Sequence, residues 1–248
     1  MTYVLYGIVF SPARAEVGSD GAPALPPGVG GVPVRLIEDR GLGAAVSTID
    51  PLDLTPTVTR LLSYAKVVEA LHADRAILPM RYGCLLRDDS QAIEPLRAHG
   101  QEYAAVLRGL DGCVEMGVRV LLPTEPSAAS PSPFLPVTEA PSGHAYLIYR
   151  AACCARDAGV TRARTAVVER LRAALGGLAE RTATDAGAFG ANPRLVSVCF
   201  LVKRRAVERF HRAFRLVERT EPARVLLSGP WPPYSFVTLE RLRDEHTI

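Results

Sequence analysis

Five histidines, five cysteines and a few paired carboxylates are the residues of this chain that could do chemistry, so their spacing comes first. His72, His99, His144, His211 and His246 are scattered, and none stands four residues from another, the separation at which one helix face presents two ligands. His72 and His211 fall among charged residues on helical patterns and read as solvated or helix-end histidines. Cys84, Cys113, Cys153, Cys154 and Cys199 are odd in number and lack metal-ligand spacing. Cys153 and Cys154 are adjacent, about 100° apart on a helix, which suits neither zinc nor a redox pair. They read as reduced thiols used as small apolar side chains. Asp88-Asp89 precede Ser90 at a helix start, where carboxylates complement the dipole and cap. Glu38-Asp39 has no partner legible in the sequence. "GLGAAV" (41–46) has two glycines of a dinucleotide loop but precedes a strand, so it reads as a hairpin turn. A nucleophile elbow, a phosphate loop, a zinc-protease helix and a C-x-x-C pair are all missing. An enzyme would need a cleft gathering, for example, His72, Asp88 and Arg81. We expect no catalytic set, no metal and no cofactor.

Two segments are odder than structure requires. In "LPMRYGCLLRD" (78–88), Arg81 and Tyr82 stand beside Gly83 in what reads as a strand. Glycine there marks a bulge or a close approach, with Arg81 either in an internal salt bridge or in contact with a partner. In "SGPWPPYSFV" (228–237) three prolines surround Trp231, the single tryptophan. Three N–H donors are gone and three φ angles fixed, so a stiff extended piece presents Trp231 and Tyr234. Either it clamps over a core, where one tryptophan hides about 150–250 Å², or it recognises a partner. We expect a division in which Trp231 and Pro232 pack while Pro233 and Tyr234 make contact, with Arg81 and Tyr82 as a second contact point.

The totals are bland. A 248-residue chain with 48% hydrophobic residues has the composition of a globular protein of one or two domains. Its 29 cations and 26 anions nearly balance, and the densest basic run, Lys203-Arg204-Arg205, is too short to indicate nucleic acid. No apolar run approaches a membrane span, and "MTYVLYGIVFSP" lacks the basic leader of a signal peptide. A cytoplasmic protein is expected.

The elements that must position these residues follow from periodicity. "YVLYGIVF" (3–10), "VRLIED" (34–39) and "AAVSTI" (44–49) read as strands. A helix then opens with Thr55 as N-cap and Pro56 at its first position, and Val58, Leu61, Leu62, Ala65, Val68 and Leu71 form its apolar stripe. "AILPMRYGCLLR" (76–87) reads as a strand interrupted by Pro79. A helix from Ser90 to Leu110 carries Ile93, Leu96, Tyr103, Val106, Leu107 and Leu110 inward. "CVEMGVRVLL" (113–122) alternates as a half-buried strand. This first part, 1–122, is expected to be an α+β domain with helices on one face of its sheet. Residues 123–141 hold six prolines and read as a linker. In 142–248 a long helix with Val167, Val168, Leu171, Leu175 and Leu178 inward, a buried strand (194–204), a helix with Val207, Phe210, Phe214 and Val217 inward, and a closing extended segment (224–237) make a second α+β domain.

"YVLYGIV", "ILPMRYG" and "LLSGPWPPYSFV", in this order, together with "EYAAVLRGLDGCVEMGVRVLL", the Pro-rich break and the Ala/Arg-rich helix, resemble the GvpL/GvpF family of gas vesicle proteins over nearly the whole chain. "GPWPPYSFV" is the specific motif. Cys84 and the length of the Pro/Ser-rich linker depart from the family pattern. The resemblance implies two α+β domains, each a mixed or antiparallel sheet with helices packed on it, the second ferredoxin-like. It also implies a non-enzymatic accessory or minor structural protein that binds the hydrophobic shell protein GvpA, and other accessory proteins, and assists vesicle nucleation or assembly, with no nucleic acid or membrane partner. Arg81, Tyr82, Trp231, Pro233 and Tyr234 are the expected partner-binding residues. An adaptor reading, with "PSPFLP" (131–136) and "PWPP" (230–233) as polyproline II ligands, is the alternative.

Overall fold

A computed structural model of the chain describes residues 2–11, 25–50, 55–123, 143–185 and 194–237. The expected linker at 123–141 therefore lies, apart from Pro123, outside the described residues. Elements run β1 (Thr2–Phe10), β2 (Arg35–Asp39), β3 (Leu42–Ile49), α1 (Val58–Asp74), β4 (Ile77–Pro79), β5 (Leu85–Leu86), α2 (Ser90–Leu110) and β6 (Cys113–Leu121). They continue with α3 (Gly143–Leu175), β7 (Arg181–Asp185), β8 (Leu195–Lys203), α4 (Val207–Thr220) and β9 (Arg224–Trp231). The chain is α+β with two sheets.

The chain divides by contacts into two compact units that interleave in sequence. Unit 1 takes 1–116, 201–205 and 229–248; unit 2 takes 117–200 and 206–228. This differs from sequential domains meeting at 123–141, since the Trp231 segment groups with the first unit. Its prolines do not keep it out of a ladder either. β9 runs through Pro230 to Trp231 at the end of its sheet order, the edge position at which a missing N–H costs nothing.

In unit 1 the sheet order is β2-β3-β1-β4, and β5 also pairs with β1. β1 lies antiparallel to β3 from Thr2 opposite Ile49 to Phe10 opposite Leu42. The helices do not share one face. Val4, Tyr6 and Ala45 pack with Tyr64, Val67, Val68 and Leu71 of α1. Leu5, Ile8 and Ala44 instead line a small cavity of about 30 Å³ with Ala92, Leu96 and Tyr103 of α2. β1 is therefore covered on both sides, as an all-apolar "YVLYGIVF" requires.

α1 starts two residues later than its sequence suggests, with Thr57 as N-cap accepting from the Arg60 N–H at 3.3 Å. Its buried side is Tyr64, Val67, Val68, Leu71 and His72, so Val58, Leu61 and Leu62 of the expected stripe stay exposed. The strand expected over 76–87 is two short ones, β4 and β5, with a turn between. β6 is buried almost throughout, Glu115 included, rather than on alternate residues.

In the second sheet the order is β7-β8-β6-β9. The Leu122 N–H donates to Arg194 O and the Arg204 N–H to Gly112 O, which makes β6 and β8 antiparallel. The chain order β6-α3-β7-β8-α4-β9 on that strand order is compatible with a ferredoxin-like arrangement. It begins at β6, ahead of the expected boundary at 142, and includes a strand, β7, where a continued helix was expected. In unit 2, Val167, Val168, Leu171 and Leu175 of α3 and Phe210, Phe214 and Val217 of α4 are buried, and the Phe200 and Phe210 rings lie 5.4 Å apart.

His72 is no surface residue. It is buried on α1, neither ring nitrogen has a hydrogen-bond partner in range, and the Arg204 guanidinium donates to its backbone carbonyl. Burial, and then the Arg204 charge, lower its pKa to about 4, although backbone groups of Arg75 and Cys113 offset part of this. The unfolded chain therefore takes up a proton near pH 6.5 that the folded chain refuses. We predict that stability falls as pH drops from about 6.5 towards 4, by on the order of 3 kcal/mol from this group. Chemical denaturation of His72→Leu across that window should show a visibly flatter profile than the parent protein. Parallel profiles would contradict the assignment.

Candidate functional site

The expected contact residues all lie in unit 1. Between β4 and β5 the Cys84 N–H donates to Arg81 O at 3.3 Å, closing a turn over Arg81-Tyr82-Gly83-Cys84. Gly83 has φ +92°, the value a type II turn needs at its third residue and a side chain resists. This turn, not a strand bulge, is what the glycine provides. Arg81 stands exposed at the turn, and Tyr82 is half-buried.

Tyr82 meets an aromatic row. Its ring is edge-on to Tyr64 at 5.4 Å, and Tyr64 stacks on Tyr6 at 4.9 Å. The Tyr64 hydroxyl lies 2.8 Å from Met80 O and 3.0 Å from Leu5 O, so it ties α1 to the strand ahead of the turn and to β1. The Tyr6 hydroxyl accepts from the Val29 N–H at 2.8 Å and bonds Ser47 Oγ at 2.7 Å. Burial raises the pKa of both phenols, far above the ordinary value for Tyr64, so they remain neutral packing groups.

The Trp231 segment is held by a different set from the one expected. Pro232 and Pro233 are buried, as is Phe236, whereas Trp231 is 46% and Tyr234 39% exposed. Trp231 is thus outward and Pro233 inward, the reverse of the expected division, while Tyr234 does face out in part. The fixed point is Glu115 of β6. Its carboxylate accepts from the Ser235 N–H at 2.7 Å and from Ser235 Oγ at 2.8 Å. Ahead of it Gly229 adopts φ +111°, and a Cβ there would come within 2.6 Å of Glu115 O. Only glycine lets the strand pass so close. The Tyr234 phenol is pushed up to about 12, first by burial and then by the carboxylates of Glu69 and Glu115. Neither Glu115 nor Phe236 stood out in the sequence; the Glu in an otherwise apolar "CVEMGV" is the signal that could have found it.

Acid–base chemistry has little to work with here. Burial raises the Cys84 thiol to about 11, which leaves no thiolate at neutral pH. Asp88 caps α2 by accepting from the Gln91 N–H, and Asp89 pairs with Arg35 at 2.6 Å. The Asp39 carboxylate lies 3.1 Å from Arg97, and Ser11 donates to Glu38. Among the described residues no group of three His, Cys, Asp or Glu could hold a metal ion, the four cysteines with described side chains are free, and no helix is long and apolar enough to cross a membrane. What the geometry offers is a pinned, aromatic, partly apolar surface.

The class defined by the fold is an α+β protein with two sheets. The particular family is shown by comparison: the model of the gas vesicle synthesis protein GvpL/GvpF family matches residues 2–238, and the chain belongs to it. It is 30% identical to gas vesicle protein F of a Streptomyces species over 236 residues, covering 87% of this chain and 94% of that one. It is 33% identical to gas vesicle protein L of the same strain over 233 residues, covering 84% and 85%. The crystal structure of GvpF from Microcystis aeruginosa has the same fold, with a TM-score of 0.69 at 14% identity over 96% of this chain and 99% of that one.

Glu115 should behave as the pin. Glu115→Ala removes two charge-assisted hydrogen bonds, each of about 1.5–3 kcal/mol, so a loss of stability of roughly 3 kcal/mol is expected. Emission from Trp231, the single tryptophan, should shift to the red as the segment loosens. An unchanged spectrum and melting curve would show that the segment is held without Glu115.

Proposed function

We propose that the protein is a non-enzymatic gas vesicle accessory protein that binds the hydrophobic shell subunit GvpA and assists nucleation or assembly, in the cytoplasm and at the vesicle. The observation that carries this reading is the run of outward apolar side chains in unit 1. Val58 is 75%, Leu62 57% and Trp231 46% exposed, in a chain whose other large apolar residues are mostly buried. Leu62 and Glu69 are seven residues apart on α1, and therefore on one face about 10 Å apart along the axis. The α1 stripe and the Trp231 segment both belong to unit 1, and the Glu69 carboxylate helps to raise the Tyr234 phenol. A shell subunit that must stay sticky for its own polymer needs a partner offering apolar contact without reaction, and outward apolar patches mark such sites.

Within this reading Trp231, Tyr234 and Leu62 make contact, Tyr82 supports them through Tyr64, Arg81 lies at the rim, and Pro233 fixes the segment from below. Membership of a gas vesicle family whose F- and L-type relatives both match supports the setting.

Co-expression with tagged GvpA tests it. Trp231→Ala combined with Leu62→Ser is expected to lower retained protein by about tenfold, the scale of losing a central aromatic anchor. The melting temperature should stay within about 4 °C, because both side chains are outward. Full retention by the double variant would overturn the reading.

A further inference from the structure

Unit 2 carries a surface that this reading does not use. On α4 the side chains of Phe210, Phe214 and Val217 are buried. With 100° per residue the opposite face is centred on Glu208, Arg212 and Arg219, with Arg215 on one side and Leu216 and Arg209 on the other. All four arginines are exposed, and Leu216 is 63% exposed in their midst. The face spans about 15 Å from Arg209 to Arg219.

Some arginines elsewhere in the molecule have acidic partners: Arg35 with Asp89, Arg97 with Asp39, Arg170 with Glu221, and Arg172 with Glu169. On α4 they have none. No carboxylate among the described residues is ion-paired with Arg209, Arg212, Arg215 or Arg219, although Glu208 and Glu218 lie on the same helix. Arg212 donates from Nε only to the Glu208 carbonyl at 3.4 Å. Four uncompensated guanidinium groups on one short helix repel one another, and a planar donor fork on each is shaped for a carboxylate.

We propose that the outward face of α4 is a docking surface for an acidic protein segment, a helix whose carboxylates meet Arg209, Arg212, Arg215 and Arg219 while an apolar side chain covers Leu216. Charge complementarity names the sign of the partner. Leu216 names its class, since a phosphate backbone has nothing to place on an exposed leucine. The proposal uses no residue of the apolar surface in unit 1, so it stands whether or not the shell subunit binds there.

The test uses the full chain and a fluorescent synthetic helical peptide with glutamates at i, i+3, i+4 and i+7 around a central leucine. Anisotropy at low salt should show binding that weakens as salt rises. Arg212→Glu with Arg219→Glu should weaken it by at least about tenfold. Leu216→Ser should weaken it about threefold with an unchanged salt slope, as loss of an apolar contact does. Should the charge reversal unfold α4 by circular dichroism, Arg212→Gln with Arg219→Gln serves instead, with the same direction expected. Binding indifferent to these arginines, or no tighter than that of a scrambled peptide of equal charge, overturns the proposal. So does tighter, Leu216-independent binding of a single-stranded oligonucleotide or of phosphatidylglycerol vesicles, either of which would mark a general polyanion site.

Discussion

A buried hydroxyl that has to find partners organises unit 1. Tyr64 is 4% exposed, so its O–H must be satisfied by protein, and it lies within bonding distance of carbonyls on β1 and at Met80. Meeting that requirement fixes how α1 sits on the sheet. The rotation that brings Tyr64 inward, with Val67, Val68 and Leu71, turns Val58, Leu61 and Leu62 out. It also sets the ring of Tyr64 between Tyr6 and Tyr82, so the turn carrying Arg81 rests on an aromatic row and does not hang free. The outward apolar stripe and the inward hydroxyl are two results of one constraint.

A second buried polar group does the same for the Trp231 segment. Glu115 is 8% exposed inside a strand that is otherwise apolar, and a carboxylate there is tolerable because Ser235 donates to it twice. Proline stiffness and the Glu115 anchor act together. The prolines reduce the freedom that ordering the segment would remove, and the carboxylate decides where it is ordered. Trp231 can then remain in solvent without the segment collapsing onto it. A large aromatic group held outward on a rigid support loses little entropy when it meets a partner.

Unit 2 divides its helices differently. α3 places two of its arginines beside carboxylates, Arg170 with Glu221 and Arg172 with Glu169. α4 leaves its own uncompensated around an exposed leucine. The near balance of 29 cations and 26 anions over the whole chain conceals this local asymmetry, because a sum carries no positions.

Much was legible in one dimension. β1, the helix at Ser90, the buried strand β8 and the inward face of α4 follow from periodicity, since alternation and 3.6-residue recurrence are local properties. The family was legible from "GPWPPYSFV", because prolines around a tryptophan satisfy no general packing need. Periodicity could not rank Tyr64 above Leu61 as the residue to bury, because both fit a helical stripe and only the carbonyls of β1 and Met80 distinguish them. Nor could it tell that Trp231 faces out and Pro233 in, since the carboxylate that settles this stands on β6, 120 residues from Ser235. The order of residues thus determined most of the elements, the family and the absence of familiar catalytic motifs. Tertiary structure alone decided which apolar and aromatic groups reach solvent, because that outcome depends on buried polar groups finding partners far away in the chain.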